Sequence, residues 1–197
     1  MIKHYQQKLA AILTFTLLSC SAPLLLSANA LALENRKPEV ATTEIAPLIA
    51  KLKSTDENEL KATIDKLVEI GSPAISALIQ ALKDADVQIR ARAADVLGRI
   101  SLDSDLKGVP SEAKIVVPAL IPLLKDSNPE VRSSAASALG GIRAEAKTAV
   151  PEFLPLLKDS QAGVRSNAAF ALGGIRAEAK AAVPLLIPLL KDSDADV

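Results

Sequence analysis

Among 197 residues the sequence holds one cysteine, one histidine, one tyrosine, three phenylalanines and no tryptophan. Each shortage removes a class of chemistry. Cys20 and His4 both fall within the first twenty residues, and so does Tyr5. Beyond them no thiol, imidazole or phenol is available for nucleophilic or acid–base catalysis, and no Cys/His set for a metal. Serines such as Ser133 and Ser134 have no base to activate them. Aromatics, at 2% of the chain, are too few to line a ligand pocket. Charge of one sign is also missing: 23 basic and 23 acidic side chains give no long-range pull toward nucleic acid or an anionic membrane. "ALGG" lacks the Lys-Ser/Thr that a phosphate loop needs. No cofactor and no metal are expected.

What the chain does have is alanine, leucine, valine and isoleucine. The first thirty residues spend them in one way. A weakly basic start (Lys3, His4, Lys8) precedes the apolar run Leu9–Leu18, and the stretch ends in Ala28-Asn29-Ala30, the small-x-small pattern of a cleavage site. Residues 1–30 read as an export signal, so that the remainder lies in the periplasm, thylakoid lumen or extracellular space. Two other readings stay open. "LLSC" (Leu17–Cys20) loosely matches a lipoprotein box that would lipidate Cys20, and the apolar run alone could serve as an uncleaved anchor. Residues 31–41 are polar and read as a linker.

The rest is organised by repetition. Val131–Gly163 is followed, 33 residues on and without a gap, by its near copy Val164–Asp196, and Val197 begins the pattern again. A period of this length marks a solenoid of stacked helical hairpins. Spacing of apolar residues gives a lone helix over 42–53, capped by Thr42 or Thr43, then hairpins over 56–84, 85–126, 127–159 and 160–192, with 193–197 opening a further unit. Ala93-Ala94, Ala135-Ala136 and Ala168-Ala169 allow helices to approach closely. Gly98, Gly140 and Gly173 serve either that approach or the exit from the first helix of each hairpin, and Gly71 is a stop. The second helix carries two prolines four apart (Pro118 and Pro122, Pro151 and Pro155, Pro184 and Pro188), the later one expected to bend it. Ile89 to Val131 is 42 residues, so this unit carries an insertion within Ser101–Ser111, expected at an inter-helix turn. The last hairpin is expected to leave apolar surface exposed, as in a truncated array or one covered by another subunit.

The unit "D……VRxxAAxALGxI…EAKxAVPxLIPLLKD" resembles the HEAT repeat, in the short HEAT-like form also found in phycobilisome lyases. The resemblance implies an all-α, right-handed α-solenoid over roughly Ile45–Val197. It also implies a ladder formed by an aspartate in each inter-unit turn and an arginine just inside the next helix: Asp84 with Arg90, Asp126 with Arg132, Asp159 with Arg165. Asp192 is expected to have lost its partner, and the first hairpin departs from the pattern with Lys61 and Lys53 at the matching positions. Read without the family, an aspartate there favours the positive end of a helix, and a guanidinium fork suits a carboxylate. The competing reading makes the three arginines a ligand-binding stripe.

Within the insertion, Asp103, Asp105 and Gly108 match positions of a calcium loop, but Lys107 and Lys114 stand where ligands are required, so the segment reads as a solvated turn. Glu112, Glu145 and Glu178 recur once per unit, as helix-start charges do. The whole points to a non-catalytic protein-binding or scaffold module with another protein as partner, no nucleic acid, and no membrane contact unless Cys20 is lipidated. The alternative is a lyase-like subunit or a chaperone of chromophore attachment. Contact with a partner is expected where the two copies differ: Ser137 against Phe170, Glu152-Phe153 against Leu185-Leu186, and the insertion.

Overall fold

The computed structural model describes residues 37–106, 112–175, 182–194 and 197. The presumed signal with Cys20, most of the linker, and Lys107–Ser111 of the insertion lie outside them. Two compact units are distinguished, Met1–Val40 and Ala41–Val197; of the first only residues 37–40 are described. Every described element is helical.

Helix α1 (Lys37–Lys51) begins within the stretch read as linker, with Pro38 in the opening turn, where a missing N–H costs nothing. Ile45 and Leu52 are buried and join the core. Asp56 caps α2 (Glu57–Ile70) by accepting the Asn58 and Glu59 N–H groups at 2.8 and 3.0 Å. Gly71 ends α2 at φ 68°, a backbone setting that glycine adopts without strain. A 3₁₀ turn (Ser72–Ala74) leads into α3 (Ile75–Ala81).

Three more hairpins follow. Their first helices are α4 (Val87–Leu106), α6 (Pro129–Ile142) and α8 (Ala162–Ile175). Their second helices are α5 (Ala113–Leu120), α7 (Val150–Leu156) and α9 (Val183–Leu186). The first helices pack in series, α4 on α6 and α6 on α8, while α3 and α5 pair on the other layer. Between the layers lies one continuous core in which Leu97, Leu139 and Leu172 of the first helices and Leu120, Leu124 and Phe153 of the second are at most 1% exposed. Each such side chain contributes about 1.5–3 kcal/mol by leaving water, and none could do so in an isolated hairpin.

Close approach, not helix exit, accounts for two of the glycines. A Cβ on Gly98 would stand 2.8 Å from the Cα of Ala138, and one on Gly140 would stand 2.9 Å from the Cα of Ala171. Both distances are shorter than atoms tolerate, so the backbones of neighbouring first helices meet only because these residues lack a side chain. The exit from α6 falls instead on Arg143, at φ 59°. The prolines do not simply kink the second helices. Around Pro122 and Pro188 the chain tightens into 3₁₀ segments (Ile121–Lys125 and Ile187–Lys191), since proline supplies no N–H for an α-helical bond. In α7 the helix starts late, after a 3₁₀ stretch (Arg143–Ala149), and Pro155 falls in its second turn.

The insertion is also unlike its expectation. Residues 101–106 continue α4 as helix instead of forming a turn, so Asp103 and Asp105 lie on helical backbone and not in a calcium loop.

Candidate functional site

The polar residues that recur once per unit form a line of contacts along the inter-unit turns. Each turn is set by its aspartate: Asp84, Asp126, Asp159 and Asp192 each accept the backbone N–H two residues on, at 2.8–3.0 Å. Asp86 and Asn128, not the turn aspartates, cap α4 and α6.

The arginines pair one unit further along than the sequence spacing implies. Arg90 reaches Asp126 through Nε and Nη2 at 3.0 and 3.1 Å. Arg132 reaches Asp159 in the same way at 2.8 and 2.9 Å, and Arg165 reaches Asp192 at 2.7 and 2.5 Å. The residue six positions back contributes its carbonyl instead of its carboxylate: Nη1 of Arg90, Arg132 and Arg165 donates to the backbone oxygens of Asp84, Asp126 and Asp159, each at 2.9 Å. Local carbonyl and distant carboxylate thus use different edges of one guanidinium, which its planar fork permits. Asp192 therefore has a partner, contrary to expectation, and the Asp84 carboxylate receives no arginine among the described contacts. Lys61, at the matching place in the first hairpin, is exposed. There the junction is made by Arg92, whose Nη1 donates to the carbonyls of Leu52 and Ser54.

These pairs are largely withdrawn from water, with side-chain exposures of 14% and 15% for Arg90–Asp126, 15% and 9% for Arg132–Asp159, and 13% and 10% for Arg165–Asp192. Burial is the largest single influence on Asp126 and Asp159 and opposes their ionisation. The arginine hydrogen bonds, the Asn128 and Gln161 N–H groups and the neighbouring guanidinium charges outweigh it together and hold both carboxyls below their ordinary value. For Asp192 the Arg165 hydrogen bond dominates, followed by the Asp194 N–H, and the shift is again downward.

Away from this line, a few contacts bridge neighbouring units. Gln88 donates to Glu130 at 2.8 Å, Asn167 to the Ser133 hydroxyl at 2.8 Å, and Lys125 meets Glu152 at 2.7 Å. Other recurring positions face solvent in rows: Pro118 and Pro151 and Pro184; Pro122, Pro155 and Pro188; Lys83, Lys125, Lys158 and Lys191. Among the described residues no group of His, Cys, Asp and Glu is placed to hold a metal ion. None of their helices is long and apolar enough to cross a membrane.

The positions where the copies differ separate into two kinds. Ser137 is exposed and Phe170, its counterpart, is 68% exposed. Since Ser137 faces solvent with units packed on both sides, the exposure of Phe170 belongs to its place on the helix. Phe153, by contrast, is fully buried and is unavailable to any partner.

The model of HEAT repeats matches residues 45–109 and 116–197, and the chain belongs to that family. No curated protein sequence matches it. Among solved structures, the complex of CpcE and CpcF of phycocyanin lyase from Nostoc sp. PCC7120 is similar at a TM-score of 0.60 and 20% identity, over 78% of this chain and 93% of that one. An engineered protein is similar at 0.56 and 27%, over 78% and 74%. A designed armadillo repeat protein in complex with the peptide (KR)4 is similar at 0.54 and 20%, over 78% and 77%. The fold is therefore an all-α solenoid of the HEAT/armadillo type.

Proposed function

We propose that this chain is a non-catalytic scaffold that binds another protein along the solvent face of its second helices. One observation carries the reading. The side chains with the strongest recognition chemistry, the recurring arginines, are turned inward onto carboxylates and carbonyls of the array, while the recurring proline and lysine positions face solvent in rows one unit apart. The Asp84, Arg90, Asp126, Arg132, Asp159 and Arg165 set then belongs to the scaffold and not to a ligand-binding stripe. Rows of equivalent side chains on rigid helices suit an extended segment of a partner, because little ordering entropy is lost on the scaffold side. A designed armadillo protein of similar fold is in complex with a peptide, which supports binding of a protein or peptide segment here.

Placing a photocrosslinking residue at Pro155, and separately at Ser137 on the opposite layer, tests this. One specific partner captured at Pro155 and not at Ser137 is expected; equal capture at both, or none, contradicts it.

A second reading, a chaperone or subunit of chromophore attachment, is favoured by the likeness in fold to the phycocyanin lyase complex. Absorbance titration with a bilin separates the two. We place the protein outside the cytosol on the strength of residues 1–30, either cleaved after Ala30 or held by a lipid on Cys20. Intact mass of the mature chain distinguishes these.

A further inference from the structure

The charge that balances along the sequence does not balance over the surface. The second helices end at Lys-Asp pairs that are neutral when read along the chain: Lys83-Asp84, Lys125-Asp126 and Lys158-Asp159. Folding separates the two members. The carboxylates of Asp126 and Asp159 turn inward onto Arg90 and Arg132, where they are 15% and 9% exposed, and that of Asp84 accepts the Asp86 N–H. The three lysines are left in solvent. Lys114 and Lys147, at the other end of the second helices, are exposed as well. Between the two rows of lysines, on the same face, lie Pro118 and Pro122, Pro151 and Pro155.

Little on this face opposes the positive charge. Along residues 72–83, 112–125 and 147–158 the only carboxylates are Glu112 and Glu152, both half-buried. Glu112 accepts the Ser72 hydroxyl, and Glu152 meets Lys125 at 2.7 Å. Among the described contacts no carboxylate reaches Lys83 or Lys158; the places that match Glu152 in the units beside them hold Ala119 and Leu185.

We infer that this face takes an acidic segment of a partner protein in extended, polyproline-type conformation, with carboxylates about three residues apart. The inference rests on binding along the second helices and names the chemistry of what binds there. Packed helices stand about 8–10 Å apart, so successive lysines of one row recur at about that distance. A polyproline helix advances about 9 Å in three residues and returns every third side chain to the same side. Its carboxylates then meet Lys83, Lys125 and Lys158 in turn. The residues between them rest on the prolines, which have no rotamer freedom to lose. Nucleic acid suits the face less well. No arginine lies along these three stretches, and their one aromatic ring, Phe153, is buried, so bases have nothing to stack on.

Fluorescence anisotropy of the full chain at low salt, with labelled peptides of repeating Glu-Pro-Ala, Gln-Pro-Ala and Glu-Pro-Ala-Ala, tests this. The first should bind, and the neutral peptide and the one with the longer period should each bind at least about fivefold more weakly. Lys83→Glu combined with Lys158→Glu should lower affinity for the first peptide by at least about fivefold, with an unchanged melting curve because both side chains stand in solvent. No binding of the Glu-Pro-Ala peptide, equal binding of the neutral one, or equal binding by the double variant overturns the inference. Binding along the second helices survives any of these results if a partner is still captured at Pro155. Capture of the acidic peptide at Ser137 and not at Pro155 overturns both. Tighter binding of a single-stranded oligodeoxynucleotide, lost in the double variant, overturns the inference and assigns the face to nucleic acid.

Discussion

Arg132 passes over the carboxylate of its own turn, Asp126, takes that residue's carbonyl, and pairs instead with Asp159, 27 residues further along. Asp126 meanwhile receives Arg90 from the unit before. Each arginine therefore ties together three stretches of chain: its own helix, the turn that precedes it and the turn that follows its hairpin. At the polar edge the pairing links each unit to the next.

Acid should weaken this edge. Asp126, Asp159 and Asp192 titrate in the folded chain below their ordinary value of 3.8. The stability they contribute is complete above that value and is lost as pH falls through the lower folded values. Urea unfolding followed from pH 6 downward should show midpoints steady until about pH 4–5 and falling beyond it. The fall should be shallower in Arg132→Met, where Asp159 has lost its guanidinium. A midpoint flat to pH 2, or identical slopes in both proteins, would contradict the assignment.

Equivalent glycines should respond with opposite sign. Gly98→Ala and Gly140→Ala drive a methyl into the backbone of Ala138 or Ala171 and should cost about 1–3 kcal/mol. Gly173→Ala meets open space and should stabilise by up to about 1 kcal/mol through helix propensity. Chemical denaturation of the three variants checks this; a loss in Gly173→Ala equal to that in Gly140→Ala would show that the positions are not equivalent in the way described.

Equivalent leucines should differ as well. Leu157→Ala removes a side chain that is 2% exposed and should cost about 2–5 kcal/mol. Leu190→Ala, at a position 85% exposed, should change stability by less than about 0.5 kcal/mol. Comparable losses in the two would place Leu190 in a core that the structure does not show.

Phe170 gives a third contrast. Replaced by serine, the residue of the preceding unit, it should leave the melting temperature unchanged within error, because the ring faces water. A marked drop would mean that the ring is packed.

The period, the hairpins and the small residues between first helices were legible in the sequence because packing at a repeated junction demands the same residue each time. Three things were not. Spacing along the chain favours Asp126 as the partner of Arg132, six residues away, and only the direction of the fork shows that this distance suits the carbonyl. A difference between copies does not reveal which way a side chain points, so Phe153, in the core, looked as available as Phe170, on the surface. Residues 101–106 looked like part of a turn because Asp and Ser are frequent there, yet continuing a helix already packed on α6 keeps their backbone groups bonded. The last hairpin, expected from the sequence to leave apolar surface exposed, does so at Leu190, which is otherwise the counterpart of the buried Leu157.

The central claim is that the recurring arginines hold the array together and do not wait for a ligand. Equilibrium unfolding of Arg132→Met, Asp159→Leu and the double variant tests it most directly. Each single change strands a partner withdrawn from water and should cost about 3 kcal/mol, while the double variant, with neither charge left, should regain a large part of that loss. Singles that unfold at the wild-type midpoint would contradict the claim and return Arg132 to the list of residues available for binding.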